Sequence, residues 1–572
     1  MVVTNAEIAA IFKELADLLE IRGEEPFKTR AYRNAARTIE NLGRDLAKMV
    51  ENGEDLTRLP AIGERIANKI REIVKTGRLA KLEYLKHSFP PHLLDLLKVE
   101  GIGPKRAKIL YQELHIGSLD ALKKAAESHK ISKLRGFSEN LERKILKGTL
   151  LAKKEGKRFL YAEAQPYVKD LEAYLRTSPD LLVVTTAGSF RRRKETVGDL
   201  DILTTSKQPS RLIGHFVEYP GIAEVLSHGD TRSTVILKNH LQIDLRCVEE
   251  ASYGAALHYF TGSKSHNIAI RIMARDMGMK VNEYGLFKGK RKLAGRTEEE
   301  MYEGVGLRYI EPELRESRGE HTAARENRLP HLVEREEIRG DLHMHTRYSD
   351  GHNTIEEMAY AAKSMGYAYI AITDHSKHMP IVHGLDEKRL REQMEEIDRL
   401  NERLQGITIL KSIEVDILED GSLALPDSVL SKLDFAVAAV HEHFNLTQKM
   451  QTRRILKALE NPYVKILAHP TGRLIGEREA YRVTMKQLFK GVVDNGCFLE
   501  INAQPKRLDL NDLYTKRAKE AGVRFAISTD AHNAASLDYM QYGINQARRG
   551  WLEKGDVINT LSLSALKRTL DI

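Results

Sequence analysis

Seven short apolar segments recur through the C-terminal part of the chain, and nearly all of them end in histidine or carboxylate residues. Helical stretches separate the segments, which is typical of the parallel strands of an α/β barrel. The active site of such a barrel gathers at the C-terminal ends of its strands. Histidines and carboxylates that converge there can hold up to three transition-metal ions. The segments are GDLHMH (340–345), YIAITDH (369–375), ILKSIEVD (409–416), FAVAAVH (435–441), VKILAH (464–469), FLEIN (498–502) and FAISTDAH (525–532).

One histidine at a strand end is more often a hydrogen-bonded structural residue than a ligand, whereas repetition at matched strand ends indicates a metal centre. This part of the chain resembles the polymerase and histidinol phosphatase (PHP) domain. The resemblance implies up to three Mn²⁺ or Zn²⁺ ions and nine ligands. They are His343, His345, Asp350, His375, Glu414, His441, His469, Asp530 and His532. His378, His443 and Asp416 lie near these positions in sequence and are interpreted as residues that support the ligands.

A second constellation lies in the segment GSFRRRKETVGDLDIL, residues 188–203. Residues 196–206 are predicted to form a strand, on which Asp199 and Asp201 share one face while Leu200 and Ile202 are buried on the other. Two adjacent carboxylates repel each other unless a cation such as Mg²⁺ or Mn²⁺ neutralises them. A lone Asp-x-Asp would more often be a solvated turn or a helix cap, so the residues before it decide the interpretation.

The residues before this strand predict a phosphate-binding turn. Gly188 and Ser189 follow the apolar strand 181–186 and offer backbone N–H groups and a hydroxyl, and Arg191, Arg192 and Arg193 add positive charge for a triphosphate. Together with Asp-x-Asp at this distance, the segment resembles the nucleotidyltransferase core of the family X DNA polymerases.

A third carboxylate is predicted on the strand within NHLQIDLRCV, residues 239–248, where Asp244 lies on the face opposite Ile243 and Leu245. If this strand neighbours the first, Asp244 completes a triad. The family resemblance implies two Mg²⁺ or Mn²⁺ ions on these aspartates, with Asp244 able to accept the proton of the primer 3′-hydroxyl. Some relatives carry an arginine at the position of Gln242, so the support of Asp244 stays open.

The segment LHYFTGSKSHNIAIR, residues 257–271, resembles the nucleotide pocket of the same family. A flat aromatic edge against the sugar excludes a 2′-hydroxyl, and Gly262 allows close approach of the backbone. Without the triad, Tyr259 and Phe260 would be interpreted as core aromatics. The implied nucleotide-binding residues are Gly188, Ser189, Arg192, Tyr259, Phe260, Gly262, Asn267 and Arg271.

Residues 1–150 are helical in pattern and contain a repeated unit: LPAIGERIANKI (59–70), VEGIGPKRAKIL (99–110) and a looser copy, LRGFS (134–138). The pattern predicts helix-hairpin-helix turns whose backbone N–H groups meet DNA phosphates without reading sequence. The alternative is that each turn only joins two helices. The predicted DNA-binding residues are Gly63, Arg65, Gly101, Gly103 and Lys105.

The first hairpin also contains Lys69, which matches the Schiff-base lysine of relatives with 5′-deoxyribose phosphate lyase activity. A Schiff base requires a neutral amine. The sequence favours a structural or phosphate-binding role for Lys69 and leaves the lyase role open.

Composition narrows the classes of protein to which this chain can belong. The chain has 572 residues, a net charge of +9 and only two cysteines, Cys247 and Cys497, far apart in sequence. We therefore expect several domains, free thiols and a reducing, cytoplasmic environment. The excess positive charge suits a polyanionic partner but does not establish one. We expect an amphipathic helix at the N-terminus and no membrane-spanning segment.

The predicted fold class is a multidomain chain that combines α+β and α/β parts. The predicted domains are a helix-hairpin-helix DNA-end-binding domain (1–85), a second helix-hairpin-helix domain (86–150), a nucleotidyltransferase palm (151–249), a thumb for nucleotide selection (250–315), a charged linker (316–335), and a distorted, TIM-like (β/α)₇ PHP barrel (336–572).

The resemblance implies a monomeric, gap-filling repair polymerase that uses deoxynucleoside triphosphates and gapped or nicked DNA with 3′ primer ends. Its PHP domain would act as a 3′–5′ exonuclease or 3′-end-processing phosphodiesterase, with abasic-site endonuclease activity left open. Two alternatives remain: a PHP nuclease whose polymerase core only holds DNA, and a non-catalytic repair scaffold.

Overall fold

The computed structural model describes residues 3–40, 42, 44–99, 101–155, 158–378 and 382–572, which form two compact units. The first unit comprises residues 1–159, 163–192 and 196–328, and the second comprises 160–162, 193–195 and 329–572. Within the described ranges, no helix is long and apolar enough to cross a membrane.

The first 155 residues are helical, as their pattern predicts. Thr4 caps the first helix by accepting a hydrogen bond from the Glu7 N–H, and Gly23 ends it at φ 92°. Two separate apolar cores follow, one for each hairpin region. The α-helices are Asn5–Arg22, Pro26–Glu40, Leu46–Glu51, Glu64–Thr76, Ala80–His87, Pro104–Leu114, Leu119–Glu127 and Glu139–Glu155.

The two better-matched hairpin turns differ in one backbone position. Gly63 and Gly103 directly precede the helices Glu64–Thr76 and Pro104–Leu114. Two residues before each of them the chain takes a left-handed conformation, and this position is Gly101 at φ 87° in the second turn but Ala61 at φ 59° in the first. Because a Cβ disfavours this conformation, the first turn is the more strained.

A five-stranded mixed sheet forms the centre of the first unit. In spatial order its strands are Leu181–Thr186, Asp199–Ser206, Gln242–Cys247, Arg232–Leu237 and Ile222–His228. Leu200 and Ile202 are buried against the helices Tyr161–Leu175 and Pro209–Val217, as strand alternation predicts. The predicted strand 196–206 is interrupted at Gly198, because Phe159–Leu160 and Thr196–Val197 form a separate two-stranded sheet.

The remainder of the first unit packs around the helices Tyr253–Thr261 and Lys264–Asp276. It adds the three-stranded sheet Lys280–Asn282, Gly285–Lys288 and Arg291–Ala294, and the helices Glu298–Glu303 and Glu320–Arg325. The prediction of a linker over 316–335 is wrong for residues 316–328, which belong to the folded first unit. Glu320 and His321 are buried there. The charged composition predicted a solvated linker, whereas these side chains pair inside the fold.

The second unit is built from parallel strands alternating with helices. Its strands are Gly340–Asp341, Tyr369–Ile372, Thr408–Lys411, Glu414–Asp416, Ala436–Ala439, Val464–Leu467, Phe498–Asn502 and Phe525–Ser528. Its α-helices are Ile355–Ser364, Glu387–Arg403, Asp427–Leu430, Gln448–Leu459, Met485–Asp494, Asp512–Glu520, Met540–Arg549 and Leu563–Leu570. The predicted segment 409–416 is two strands rather than one. The first three strands of this unit form a three-stranded sheet and the other five form a five-stranded sheet. Bridges at His375–Glu414 and Met344–Ala531 join these two sheets.

A buried ion pair stabilises the C-terminal part of the first unit. The fully buried Arg315 donates to Glu298 Oε1 at 2.5 Å and to the Ile310 carbonyl at 2.8 Å. Arg191 donates to Glu298 Oε2 at 2.6 Å. Burial alone would raise the pKa of Glu298, but the charges of Arg315 and Arg191 outweigh it and lower the pKa to about 2.

We expect Arg315→Leu to lower the unfolding free energy of the first unit by about 3–5 kcal/mol, because Glu298 loses one of its two buried partners. Urea unfolding followed by far-ultraviolet circular dichroism measures this change. Trp551, the sole tryptophan, lies in the second unit and supplies an internal fluorescence reference. Arg328→Leu, at an exposed pair with Glu326, is the control and should cost less than about 1 kcal/mol. Equal losses in the two variants would contradict the prediction.

Candidate functional sites

Three aspartates meet on neighbouring strands of the five-stranded sheet. Strand Asp199–Ser206 runs parallel to Gln242–Cys247, and Asp201 lies directly opposite Asp244. Burial, together with the charges of Asp199 and Asp244, raises the pKa of Asp201 to about 7. Burial and Asp244 also raise the pKa of Asp199. Oxygen donors that repel one another in this way fit divalent cations such as Mg²⁺ or Mn²⁺.

The glycine of the predicted phosphate turn is required by the carboxylate beside it. Gly188 has φ 61°, and a Cβ at this position would lie 2.4 Å from Asp201 Oδ2. The preceding Ala187 N–H donates to the Asp201 carbonyl at 2.7 Å. Ser189 lies in the short helix Gly188–Arg191 that begins at this turn. The turn is therefore fixed against the strand that carries the aspartates.

The Asp244 carboxylate accepts hydrogen bonds from two uncharged side chains. Gln242 Nε2 donates to Asp244 Oδ2 at 2.8 Å, and Thr234 Oγ1 donates to Asp244 Oδ1 at 2.5 Å. The role of Gln242 was open from the sequence, and Thr234 was not predicted. Thr234 lies opposite Asp244 on the antiparallel strand, so strand pairing was the missing information.

The predicted nucleotide pocket lies at the end of helix Tyr253–Thr261. Asn267 Nδ2 donates to the Tyr259 carbonyl at 2.7 Å, and the Arg271 guanidinium lies 5.4 Å from the Tyr259 ring centre. The Arg246 guanidinium lies 4.7 Å from the centre of the Phe260 ring. Both aromatic rings are half-buried, and each has a cation over its face.

The turn between the pocket helices is tied to the phosphate turn. Arg191 donates to Thr261 Oγ1 at 2.7 Å, and Arg192 donates to the Thr261 carbonyl. Arg192 Nε also donates to Glu316 at 3.1 Å. Gly262 follows at φ 67°, and a Cβ there would lie 3.2 Å from Arg192 Nη1. Arg192, which was predicted to bind the nucleotide, therefore holds the pocket turn in place.

In the second unit, the nine predicted ligands lie together at the strand ends. Glu414 is the hub: its carboxylate lies 2.8 Å from His375 Nδ1 and 2.9 Å from His469 Nε2. His441 Nε2 is 3.2 Å from the same carboxylate, and His343 Nε2 is 3.6 Å from it. Six of the nine are buried, and Asp350, His441 and His532 are partly exposed.

Three overlapping groups can each surround a metal ion. The groups are His345, Asp350, His375 and His532; His343, His345 and Asp530; and His375, Glu414 and His441. Within each group, the ligand atoms lie within 4.8 Å of one another. His345 belongs to two groups and His375 to two, so the three positions are linked.

The electrostatics of this centre fit cations. Burial alone would raise the pKa values of Glu414 and Asp530, but the surrounding imidazoles outweigh it and lower both. Conversely, burial alone would lower the pKa of His375, but Glu414 and Asp350 raise it to about 10. His345 Nδ1 and His469 Nδ1 are buried without a hydrogen-bond partner. These atoms are available to ligate metal ions.

Two carboxylates behind the ligands orient them. Glu500 Oε1 lies 2.7 Å from His343 Nδ1, and Glu500 Oε2 accepts from the His469 N–H at 2.7 Å. Asp416 Oδ1 lies 2.7 Å from His441 Nδ1. Such partners fix the ring orientation of metal-binding histidines. Sequence reasoning missed Glu500, although a carboxylate within the apolar strand Phe498–Asn502 was a visible signal.

His378 and His443 lie farther out, beside the centre. Together with Asp416, His441 and Glu442 they help to line a cavity of about 180 Å³. His378 Nε2 is 3.3 Å from Glu442 Oε2. Their interpretation as supporting residues stays a prediction.

The predicted DNA contacts occupy the exposed sides of the hairpins. Arg65 and Lys105 are exposed on the first turns of their helices, beside Gly63 and Gly103. A Cβ at Gly101 would lie 2.9 Å from Leu141 Cδ1. Lys69 is half-buried, and burial together with the Lys69 charge lowers the pKa of Lys81. The two ammonium groups are therefore close enough to repel each other.

Four protein-family models match separate parts of the chain. Residues 3–79 match a helix-hairpin-helix domain, and residues 93–148 match a SAM-like helix-hairpin-helix tandem. Residues 256–316 match the DNA polymerase beta thumb, and residues 341–504 match the PHP domain. The chain belongs to the family X DNA polymerases that carry a C-terminal PHP domain, which confirms the predicted family and fold class.

Individual relatives agree with this assignment. The DNA polymerase/3'-5' exonuclease PolX of Bacillus subtilis (strain 168) is 38% identical over 569 residues, covering 99% of each chain. A probable phosphatase of Thermoanaerobacter sp. (strain X514) is 32% identical over 232 residues, 38% of this chain and 89% of the relative. DNA polymerase lambda of Rattus norvegicus is 25% identical over 354 residues, 54% of this chain and 56% of the relative.

In metal-free protein at pH 8, Asp201→Asn should raise the unfolding free energy of the first unit, because it removes a carboxylate that its neighbours repel. The folded pKa of Asp201 is about 7, above the unfolded value of about 4. Wild-type Asp201 therefore gains its proton as the pH falls through 7, and the advantage of the variant should shrink toward pH 4.

Urea unfolding in chelator at pH 8 and pH 5 measures this difference. Adding Mg²⁺ should reverse its sign, because wild type binds the cation more tightly. Asp276→Asn, at an exposed carboxylate, serves as the control and should show neither effect. A difference that is independent of both pH and Mg²⁺ would refute the electrostatic explanation.

Proposed function

We propose that this chain is a DNA-directed DNA polymerase that fills short gaps during DNA repair, including base excision repair. Its PHP domain acts as a metal-dependent 3′–5′ exonuclease and 3′-end-processing phosphodiesterase. The observation that carries the proposal is the presence of both acidic centres in one chain: Asp201 opposite Asp244 and the histidine and carboxylate groups around Glu414. The similarity to the Bacillus subtilis polymerase/exonuclease over 99% of the chain supports it.

In the polymerase site, Asp199, Asp201 and Asp244 would hold two Mg²⁺ or Mn²⁺ ions. When bound, these ions neutralise phosphate charge and favour attack by the primer 3′-hydroxyl. Gln242 and Thr234 hold the Asp244 carboxylate, which can accept the hydroxyl proton. The phosphate turn at residues 188–189 and Arg192 bind the triphosphate.

Sugar selection in the same site belongs to the aromatic pair. The Tyr259 edge stands against the sugar and excludes a 2′-hydroxyl, with Phe260 beside it and Gly262 allowing close backbone approach. Asn267 and Arg271 contact the nascent base pair and the template.

In the PHP domain, the nine ligands would hold up to three Mn²⁺ or Zn²⁺ ions. When bound, such ions polarise a phosphodiester and activate water at neutral pH. Glu500 and Asp416 hold the Nδ1 atoms of His343 and His441, which leaves the Nε2 atoms of those histidines as ligands. Cleavage of abasic sites by the same centre is part of the proposal.

DNA is held through phosphate contacts at the hairpin turns, by the backbone N–H groups near Gly63, Gly101 and Gly103 and by Arg65 and Lys105. We propose that the protein acts as a monomer in the cytoplasm. The domain boundaries at residues 85, 150, 249, 315 and 335 stay predictions, except that the linker is confined to residues after 328.

The two alternatives are weaker on specific grounds. A chain that only held DNA at its polymerase core would not need three mutually repelling aspartates, two of which have a raised pKa. A non-catalytic scaffold would not need buried histidine nitrogens without hydrogen-bond partners. Both features carry a cost in stability that catalysis explains.

Single substitutions should separate the two activities. Asp199→Ala should lower primer extension on gapped DNA by at least about 10³-fold, because charge neutralisation and positioning dominate phosphoryl transfer, and should spare 3′ degradation. His343→Ala should do the reverse. Gel assays on a labelled primer, with and without deoxynucleoside triphosphates, measure both activities.

Matched variants guard against indirect effects in that experiment. Asp230→Ala on the first unit and His331→Ala on the second alter exposed or half-exposed residues outside the predicted sites, and both should retain extension and degradation. If Asp199→Ala or His343→Ala removed both activities while the fold was retained, the assignment of separate centres would be wrong.

The lyase question turns on Lys69 and its neighbour Lys81. Borohydride reduction on a 5′-deoxyribose phosphate substrate should trap a covalent adduct if Lys69 forms a Schiff base, and Lys69→Ala should remove at least about nine-tenths of it. Lys81→Ala is the matched control, because it removes the neighbouring positive charge and keeps the Lys69 amine. Absence of an adduct in wild type would rule out the lyase role and leave Lys69 as a structural or phosphate-binding residue.

A further inference from the structure

A buried polar cluster, here named the His266 cluster, lies outside the sites above and consists of His266, Tyr302, Glu320 and His321. His266 and Glu320 are completely inaccessible to solvent. His266 Nδ1 lies 2.9 Å from Glu320 Oε1, and its Nε2 lies 2.9 Å from the Tyr302 hydroxyl. The His321 ring stacks on His266 at 4.5 Å between centres. The His266 ring is therefore held at both nitrogens and on one face.

The hydrogen bonds of the cluster are satisfied when His266 is neutral. Burial lowers the pKa of His266 to about 4, although Glu320 opposes this effect. Burial alone would raise the pKa of Glu320, but the histidines outweigh it and lower it to about 2. At neutral pH the Tyr302 hydroxyl donates to His266 Nε2, and His266 Nδ1–H donates to the Glu320 carboxylate. This pattern assigns one tautomer.

The cluster is connected to the nucleotide pocket through the start of helix Lys264–Asp276. Ser263 caps this helix by accepting from the His266 N–H at 3.3 Å. The next residue, Asn267, donates to the Tyr259 carbonyl at 2.7 Å. The hydrogen-bonded His266 ring therefore fixes the start of this helix. Two contacts depend on the helix start: the Ser263 cap at the pocket turn and the Asn267 hydrogen bond that positions Tyr259.

Glu320 holds the opposite side of the same turn. It accepts hydrogen bonds from the Ser317 and Arg318 N–H groups at 2.7 and 2.6 Å. Just before these residues, the Arg315 carbonyl accepts from the Ser263 N–H at 3.0 Å, and Glu316 accepts from Arg192. The cluster therefore fixes both chain segments that meet at Ser263.

On the basis of the proposed polymerase function, we propose that His266 is a positioning residue for nucleotide selection. Clamped between Tyr302 and Glu320, its imidazole fixes the helix start that places Asn267 and, through it, Tyr259. The residue acts on the sugar through Tyr259 and does not itself contact the nucleotide.

A metal ion is the competing occupant, because ligand atoms of His266, Glu320 and His321 lie within 4.8 Å of one another. The hydrogen bonds favour the positioning role: both His266 nitrogens have partners, and the Glu320 carboxylate accepts from two backbone N–H groups as well as from His266. The experiment below distinguishes these two roles.

The test uses the full chain carrying His266→Phe, which keeps a ring but loses both hydrogen bonds. Single-nucleotide gap filling is measured with a deoxynucleotide and with the matching ribonucleotide, corrected for the active fraction. We expect kcat/KM for the deoxynucleotide to fall roughly 10- to 100-fold, because a small displacement of a positioned group has effects of this size. Selectivity against the ribonucleotide should fall at least about threefold on the same grounds, while 3′–5′ degradation is unchanged.

Two milder variants and one control sharpen the result. Tyr302→Phe and Glu320→Gln each weaken one side of the clamp and should lower sugar selectivity in the same direction. His215→Phe alters a histidine that stacks on Tyr174 elsewhere in the first unit, so it reports general destabilisation and should leave selectivity unchanged.

Three outcomes would overturn the proposal. The first is unchanged sugar selectivity in His266→Phe, Tyr302→Phe and Glu320→Gln, even if the active fraction falls. The second is one metal equivalent fewer per chain in His266→Phe than in wild type, measured by elemental analysis, which would make the cluster a metal site. The third is the absence of nucleotide incorporation by wild type, which refutes the polymerase function itself and the positioning role with it.

Discussion

The desolvation of carboxylates is the constraint on which both acidic centres depend. In the first unit, three aspartates are brought together by two parallel strands, and burial adds to their mutual repulsion. In the second unit, Glu414 and Asp530 are buried deeply, and the surrounding imidazoles lower the pKa of both. Neither arrangement would be retained for stability alone, because burying charge is costly unless it is compensated. Divalent cations supply the compensation and, at the same time, the chemistry.

The two centres solve this problem with different donors. The first offers carboxylate oxygens only, held by Gln242 and Thr234, which suits hard cations such as Mg²⁺. The second mixes imidazole nitrogen and carboxylate oxygen, with Glu500 and Asp416 fixing the rings, which suits Mn²⁺ or Zn²⁺. One chain can therefore combine nucleotide addition and phosphodiester hydrolysis without sharing ligands between the two reactions.

Much of this organisation was predictable from local pattern. Strand alternation placed Asp199 and Asp201 on one face with Leu200 and Ile202 buried, and repeated strand ends indicated the nine residues of the second unit. What depended on long-range pairing was not predictable. Thr234 reaches Asp244 only through its neighbouring strand, and Glu500 contacts His343 although 157 residues separate them in the chain. Composition was misleading for residues 316–328, because Glu320 is charged yet fully buried.

The backbone difference between the two hairpin turns makes them unequal as anchors. Ala61 occupies a left-handed conformation that Gly101 adopts without a Cβ penalty, and the penalty is about 1–2 kcal/mol for a non-glycine residue. Strained segments open locally more readily than the fold as a whole. If both turns grip the DNA backbone, the first should release its phosphate more often than the second. The protein would then release DNA stepwise, at the first hairpin turn before the second, rather than in a single step.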